Sequence, residues 1–378
     1  MLEGVFYLDG DTDSILFNSG CNDITIEGQG AATILKVPDG HTTINTLIKI
    51  TGTAENHLHD IKIKNLVLDG NKSNVTGDAY NGISGEYADR VTVDNVTIKS
   101  GRGTSSGYGI IFQNGYDITI KNCFINPWGN TDIEFRTSDR INVSGNSFIG
   151  ASPLDGYMEI YSNCNRITVS DNIFYQAGFK MGSFATPYIC DGVSITGNNF
   201  HAPVEFKRTG GCFGCGASKN VIISNNNVNV CGVPVVIGSG TDGVTVCNNY
   251  IKSSYCGCLA FDSSDNPDHN NILIQGNTLV ATSPVANRTF CIETSANSNL
   301  TGLTIKNNIL QKDPAALGEV YGINLLDGES VRIESNDIRD FDIGVYIGAG
   351  ANLAQVKNNF YLNNDVNIDD DGTGTVIA

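Results

Sequence analysis

The sequence predicts an all-β fold, a single parallel β-helix domain over residues 1–378 with about twelve coils. Two observations predict it. The first is a repeat: apolar alternation, then Asn-x-apolar, then a turn. It recurs at Asn122, Asn146, Asn172, Asn198, Asn226, Asn248, Asn277, Asn307, Asn336 and Asn358, with spacings of 24, 26, 26, 28, 22, 29, 30, 29 and 22 residues. Asn65 and Asn95 extend the series backwards. A period of this size replaces the several domains that 378 residues would otherwise allow with one solenoid. The second observation is the strand character of the segments between asparagines. "DITIKNCF", "RITVSDNIF", "GVSITGNNF" and "NVIISNNNV" alternate apolar with polar residues and are rich in Ile, Val and Thr. No amphipathic helical stretch separates them, which excludes leucine-rich and helical repeats. Asparagines stacked on one turn can bond along the ladder and satisfy the backbone there.

Composition narrows the function. A net charge of −17 argues against a general nucleic-acid binder, and an anionic substrate would need a locally basic site. No apolar run is long enough to span a bilayer. No basic-then-apolar segment opens the chain, so it reads as a mature or trimmed form of an extracellular or virion-associated protein. Of the eleven cysteines, Cys123, Cys164, Cys190, Cys231, Cys247 and Cys291 read as buried thiols. The close pairs Cys212/Cys215 and Cys256/Cys258 fit free thiols, disulfides or a structural zinc site. Of the five histidines, His57 and His59 alone have ligand spacing, and "ENHLHD" reads as a loop. The Asn-x-Ser/Thr triplets, such as Asn142-Val-Ser144, follow from the composition.

Register predicts neighbours, because equivalent residues of successive coils lie about 4.8 Å apart. The strand opening each coil is aligned by its inward residues: Ile83; Ile110 and Phe112; Ile133 and Phe135; Met158 and Ile160; Phe179 and Met181; Val204 and Phe206; Val235 and Ile237; Leu259 and Phe261. The outward column then reads Ser84, Ile111, Glu134, Glu159, Lys180, Glu205, Val236, Ala260. Beside it run Glu86, Gln113, Arg136, Tyr161, Gly182 and Lys207, with Asp132 and Tyr157 on the other side. Ionisable residues thus gather on adjacent coils. A solvated face of cross-strand ion pairs would explain them blandly. Against that, Glu134 stacks on Glu159, the adjacent loops are the longest, and Tyr108, Trp128, Tyr157, Tyr161 and Tyr188 lie nearby, as sugar-binding grooves require.

The favoured chemistry is β-elimination on a uronate-containing polysaccharide. It needs a cation on the substrate carboxylate, a base, and an acid for the leaving oxygen. Asp132, Glu134 and Glu159 offer hard oxygen ligands for Ca²⁺. Lys180 is the candidate base, Arg136 or Tyr161 serves the leaving group, and Glu205 is a further catalytic candidate. Lys207, Arg208, Tyr108 and Tyr157 are expected to hold substrate. On the repeat, the chain resembles the right-handed β-helices of the pectate-lyase superfamily. The carboxylate–lysine–arginine layout resembles alginate lyases of polysaccharide lyase family 6 and chondroitinase B, which implies Ca²⁺-assisted lysis. "NLVLDGNKSNVTGDAYNGI" followed by "SGYGIIFQN" looks like mannuronan C5-epimerases and phage tail-spike β-helices. Tyr108 and Gly109 match the epimerase Tyr-Gly-Phe-Asp-Pro-His run, but Ile111 stands at its Asp and Gln113 at its His. Asp69, Asn71 and Asn74 read as turn residues.

Two other function classes compete. One is a glycoside hydrolase using Glu134 with Glu159, or Glu159 with Glu205. The other is a non-catalytic polysaccharide-binding β-helix or virion spike, for which assembly into a homo-oligomer stays open. Unsaturated products and calcium dependence separate the classes.

Overall fold

The computed structural model describes residues 3–8, 13–42, 46–75, 81–101, 107–126, 131–150, 157–181, 189–202, 213–230, 232–238, 240–254, 257–261, 268–282, 289–296 and 299–378. Among them, everything regular is strand except one 3-10 turn at Gly30–Ala32. The strands pair in parallel with their counterparts in neighbouring coils, through about 11 turns. This is the parallel β-helix the repeat predicts.

The backbone contacts fall into two compact units, Met1–Phe179 and Lys180–Ala378. In the first unit a typical coil has three strands, such as Tyr108–Gln113, Tyr116–Lys121 and Phe124–Ile125. The next coil repeats them as Thr131–Arg136, Asp139–Ser144 and Ser147–Ile149. Inward residues stack into columns with essentially no exposure, as Ile110, Ile133 and Met158 do beside Phe112, Phe135 and Ile160. The rings of Phe112 and Phe135 stack at 6.4 Å and those of Phe148 and Phe174 at 4.5 Å. The second unit repeats the plan with Cys190–Thr196, Asn199–Ala202 and their successors.

The asparagine ladder differs from the sequence expectation by one residue at several coils. Its buried members are Asn146 and Asn172 in the first unit, and Asn198, Asn226, Asn249, Asn277, Asn308 and Asn336 in the second. Asn146, Asn226, Asn249, Asn277, Asn308 and Asn336 each donate from Nδ2 to a carbonyl of a preceding coil and to the next Asn. Asn249, for example, reaches Ile223 O at 2.9 Å and Asn277 Oδ1 at 2.9 Å, while its backbone N–H reaches the same Oδ1 at 3.0 Å. Asn248, Asn307 and Asn358 are not ladder members. They sit one residue earlier at φ of 53–55°, in the left-handed region. That position is otherwise filled by Gly145, Asp171, Gly197, Asn225, Gly276 and Ser335. The turn thus needs a residue tolerant of positive φ followed by an amide, and an Asn-Asn pair supplies both. Asn65, Asn95 and Asn122 are likewise positive-φ residues, and Cys123 takes the ladder position after Asn122.

Cys21, Cys123, Cys164, Cys190, Cys215, Cys247, Cys258 and Cys291 are free thiols. Burial pushes Cys123 and Cys215 up to about 12, so both stay protonated and inert. Cys212, Cys231 and Cys256 lie outside the described residues. The "HLHD" stretch is strand rather than loop from Leu58 onward, and His59 lies on it.

Candidate functional site

Strand Thr131–Arg136 departs from the usual alternation. Most strands alternate buried and open residues, but here all of Thr131–Phe135 is buried. Ile133 and Phe135 fill the interior, so alternation puts Asp132, Glu134 and Arg136 on the outer face. Asp132 is 0%, Glu134 2% and Glu159 5% exposed, which is not the solvated charge ladder of an ordinary sheet surface.

The expected register holds around Glu134. It pairs with Ile111 on one side and with Glu159 on the other. Like charges therefore occupy one column, as the sequence alignment required. Arg136 folds back onto its own strand and donates from Nε to Glu134 Oε1. Its Nη2 donates to the Tyr108 hydroxyl at 3.0 Å. The guanidinium carbon lies 5.7 Å from the Tyr108 ring centre and 5.5 Å from that of Tyr161. One cation is thus held between two aromatic faces above a buried carboxylate. Burial works against the charge on Arg136, but the hydrogen bond and charge of Glu134 outweigh it and hold the guanidinium above its ordinary value. Burial, then the Glu134 charge, raises the Tyr108 phenol, with Arg136 opposing. Tyr108 is therefore a neutral hydroxyl at neutral pH.

Two parts of the predicted column are corrected. The register slips between Phe135 and Arg136, so Arg136 pairs with Ser162 and not with Tyr161. The bulge leaves Tyr161 out of the pairing and exposed, and its ring reaches Arg136 across the slip. In the second unit, the strand that pairs with Gly178–Met181 and with Val235–Ile237 is Phe213–Cys215, which puts Gly214 in the column before Val236. The sequence alignment had set Val204–Phe206, and with it Glu205, in the place that Phe213–Cys215 takes. Glu205, Lys207 and Arg208 lie outside the described residues, as do Gly182, Trp128 and Tyr188. Lys180 is on Gly178–Met181, half-buried. Tyr157 opens strand Tyr157–Ser162. The structure thus brings Tyr108, Glu134, Arg136 and Tyr161 together, with Glu159 paired to Glu134 and Asp132 on the same strand face.

The Asp132, Glu134 and Glu159 set has the hard-oxygen chemistry of a Ca²⁺ site. Glu134, however, already holds the Arg136 guanidinium through Oε1, which offsets part of the negative charge a cation would meet. Among the described residues, the group whose ligand atoms converge within 4.8 Å is Asp23, His59 and Asp60. Sequence reasoning had paired His59 with His57 instead, and His57 bonds Asp89 at 2.9 Å. Both Asp60 oxygens are held by Arg90, and the Arg90 and then His59 hydrogen bonds lower the Asp60 carboxyl well below the usual range.

Comparison with known proteins supports the fold. The family model described as "Right handed beta helix region" matches residues 46–205. That described as "Periplasmic copper-binding protein (NosD)" matches residues 215–377. The chain is a right-handed parallel β-helix. Among solved structures, it is similar to PfbA, a surface adhesin of Streptococcus pneumoniae, at 13% identity and a TM-score of 0.51, covering 88% of this chain and 83% of that one. The Dettilon tailspike protein gives 15% identity and a TM-score of 0.50, covering 84% of this chain and 61% of the tailspike. A tailspike protein mutant of E. coli bacteriophage HK620, solved in complex with hexasaccharide, gives 11% identity and a TM-score of 0.50, covering 99% and 73%. No curated protein matches the chain. The converging Asp23–His59–Asp60 group lies outside the stretch matched by the copper-binding family. No described helix is long and apolar enough to cross a membrane.

Proposed function

We propose that this β-helix is a carbohydrate-active protein that takes an acidic, uronate-containing polysaccharide on its Tyr108–Arg136–Tyr161 face and cleaves it by β-elimination. The observation that carries this reading is the guanidinium held between two tyrosine rings. A guanidinium has five N–H donors, and the bonds to Glu134 and Tyr108 use two of its nitrogens, leaving the third for a substrate carboxylate. Neutralising that carboxylate acidifies the neighbouring C–H, which elimination requires. The tyrosine rings suit the faces of sugars. Tyr161 is the accessible hydroxyl for the leaving oxygen, and Glu134 fixes the orientation of Arg136. The tailspike solved with a hexasaccharide lends the fold a precedent for holding a glycan.

A second reading, hydrolysis, rests on the Glu134–Glu159 pairing, since adjacent strands place two carboxylates at a spacing suited to a retaining mechanism. Incubation with a panel of uronate polymers, with and without chelator, separates the readings. Ultraviolet absorbance from an unsaturated product supports elimination. New reducing ends without that absorbance support the glutamate pair. Binding without turnover of any polymer makes the chain a binding module or spike. A chelator effect on the rate bears on Ca²⁺. Lys180 keeps the role of candidate base through one variant: Lys180→Ala should abolish turnover while sparing polymer affinity, because a base acts in the transition state. A wild-type rate for Lys180→Ala removes that role.

A further inference from the structure

A second polar site lies in the first unit and uses none of the residues of the Arg136 face. It is a cleft of about 580 Å³ lined by Lys36, Asp69, Asn71, Lys72, Asn74 and Ser100 among others. Its frame is fixed. Asn71 is buried at φ 54° and donates from Nδ2 to Val37 O at 2.9 Å and to Asp39 Oδ1 at 2.8 Å. Its Oδ1 accepts the Asn74 amide at 3.0 Å, and the Lys72 N–H donates to Ser100 O at 2.9 Å. Gly70 lets the coils close here, since a Cβ would come within 2.6 Å of Ser100 O. The turn is therefore preorganised rather than shaped by a ligand.

The charges around this frame are unequal. In-register pairing stacks Lys36, Asp69 and Lys99 in one column. Asp69 pairs with Lys99 at 3.5 Å. Lys36 and Lys72 make no ion pair among the described residues. The Asp39 carboxylate on the turn offsets one of them, which leaves, among the described residues, a local excess of positive charge on a protein of net charge −17. Tyr7 is paired in register with Lys36 and is 60% exposed. The cleft thus offers two ammonium groups, amides and a hydroxyl, with an open aromatic ring on the strand next to Lys36, the set of groups that a charged sugar needs.

We propose that this cleft binds one anionic saccharide unit, its carboxylate or sulfate ester held by Lys36 and Lys72 and its ring against Tyr7. Calorimetric titration of the full chain tests it with three trisaccharides of one length: uronate, sulfated and neutral. The two acidic sugars should bind at least about tenfold more tightly than the neutral one, as expected for two weakly screened charge contacts. The double variant Lys36→Ala/Lys72→Ala should lose about tenfold in that affinity, and Lys36→Arg/Lys72→Arg should keep it within about threefold. Both variants exchange a half-buried and an exposed side chain, and unchanged melting curves confirm that they fold. Repeating the titrations on Arg136→Ala separates this cleft from the other face: the cleft is the binding that survives Arg136→Ala and is lost in the double alanine variant. Preference for the uronate or the sulfated sugar then identifies the anion it takes. Wild-type affinity in the double alanine variant, or equal binding of the neutral sugar, overturns the proposal.

Discussion

The molecule stacks identical polar side chains in two places, and the two stacks behave in opposite ways. In the ladder, Asn226 donates to Asn249 and Asn249 to Asn277, each at about 3 Å, and all three are buried. An amide carries donors and acceptors, so repeating it every coil satisfies each copy. Glu134 and Glu159 also face each other on adjacent strands and are also buried. A carboxylate only accepts, so repeating it leaves like charges together and calls for an outside cation, which Arg136 provides for Glu134. The same geometric device therefore stabilises the fold when the residue is self-complementary. When it is not, it creates a charged site that must be completed by something else.

Breaking the completed charge has the largest expected effect. Arg136→Ala leaves the Glu134 carboxylate buried without its guanidinium. It should cost about 3 kcal/mol, the low end for a broken buried pair because Arg136 is partly exposed. Urea unfolding reads the loss, and an unchanged midpoint would show that Glu134 does not depend on Arg136. Making the ladder resemble the carboxylate stack comes next. Asn249→Asp removes two donors and should destabilise by about 2–3 kcal/mol at neutral pH, more than the ~1–2 kcal/mol of Asn249→Ala. Burial and acceptor neighbours would raise the new carboxyl's pKa in the folded state. Stability should therefore recover as pH falls, and its absence in an acid series would argue against the ladder's donor role.

The reverse exchange, Glu134→Gln, makes the stack resemble the ladder, since the new amide can donate to a neighbouring carboxylate. Its stability should stay within about 1 kcal/mol of wild type while turnover falls, because Arg136 loses the charge that orients it. The smallest effects concern pH. Tyr108 has a raised folded value, so its contribution is complete below its ordinary pKa near 10 and fades as pH rises through the folded value. Asp60, Asp117 and Asp313 are lowered, chiefly by hydrogen bonds from Arg90, Arg140 and Lys252. Their contributions are complete above the ordinary carboxylate range near 4 and are lost as pH falls through the lowered values. Melting temperatures across pH should therefore be flat between these limits and decline at both ends.

The period and the alternation determined the coil, the parallel pairing and the inward columns, because a solenoid repeats one local solution and each repeat is written in the chain. The meeting of Glu134 with Ile111 and Glu159 was legible for the same reason: register follows from the inward apolar residues. Tertiary structure decided what depends on single-residue shifts. The sequence does not say which Asn of an Asn-Asn pair enters the core, because either fits the pattern and only the positive φ of the turn separates them. The slip after Phe135, which removes Tyr161 from its column and leaves its ring against Arg136, carries no compositional signal. The strand Phe213–Cys215 was passed over for Val204–Phe206 because its three residues lack β-branched character, which the other segment offers at Val204. The Lys36–Lys72 cleft was hidden because those lysines are brought together by stacking and by a turn, neither of which local sequence expresses. Chain periodicity fixes which residues are equivalent. Only the folded coils decide which of them touch, because contact across coils depends on bulges and turns that shift register by one residue.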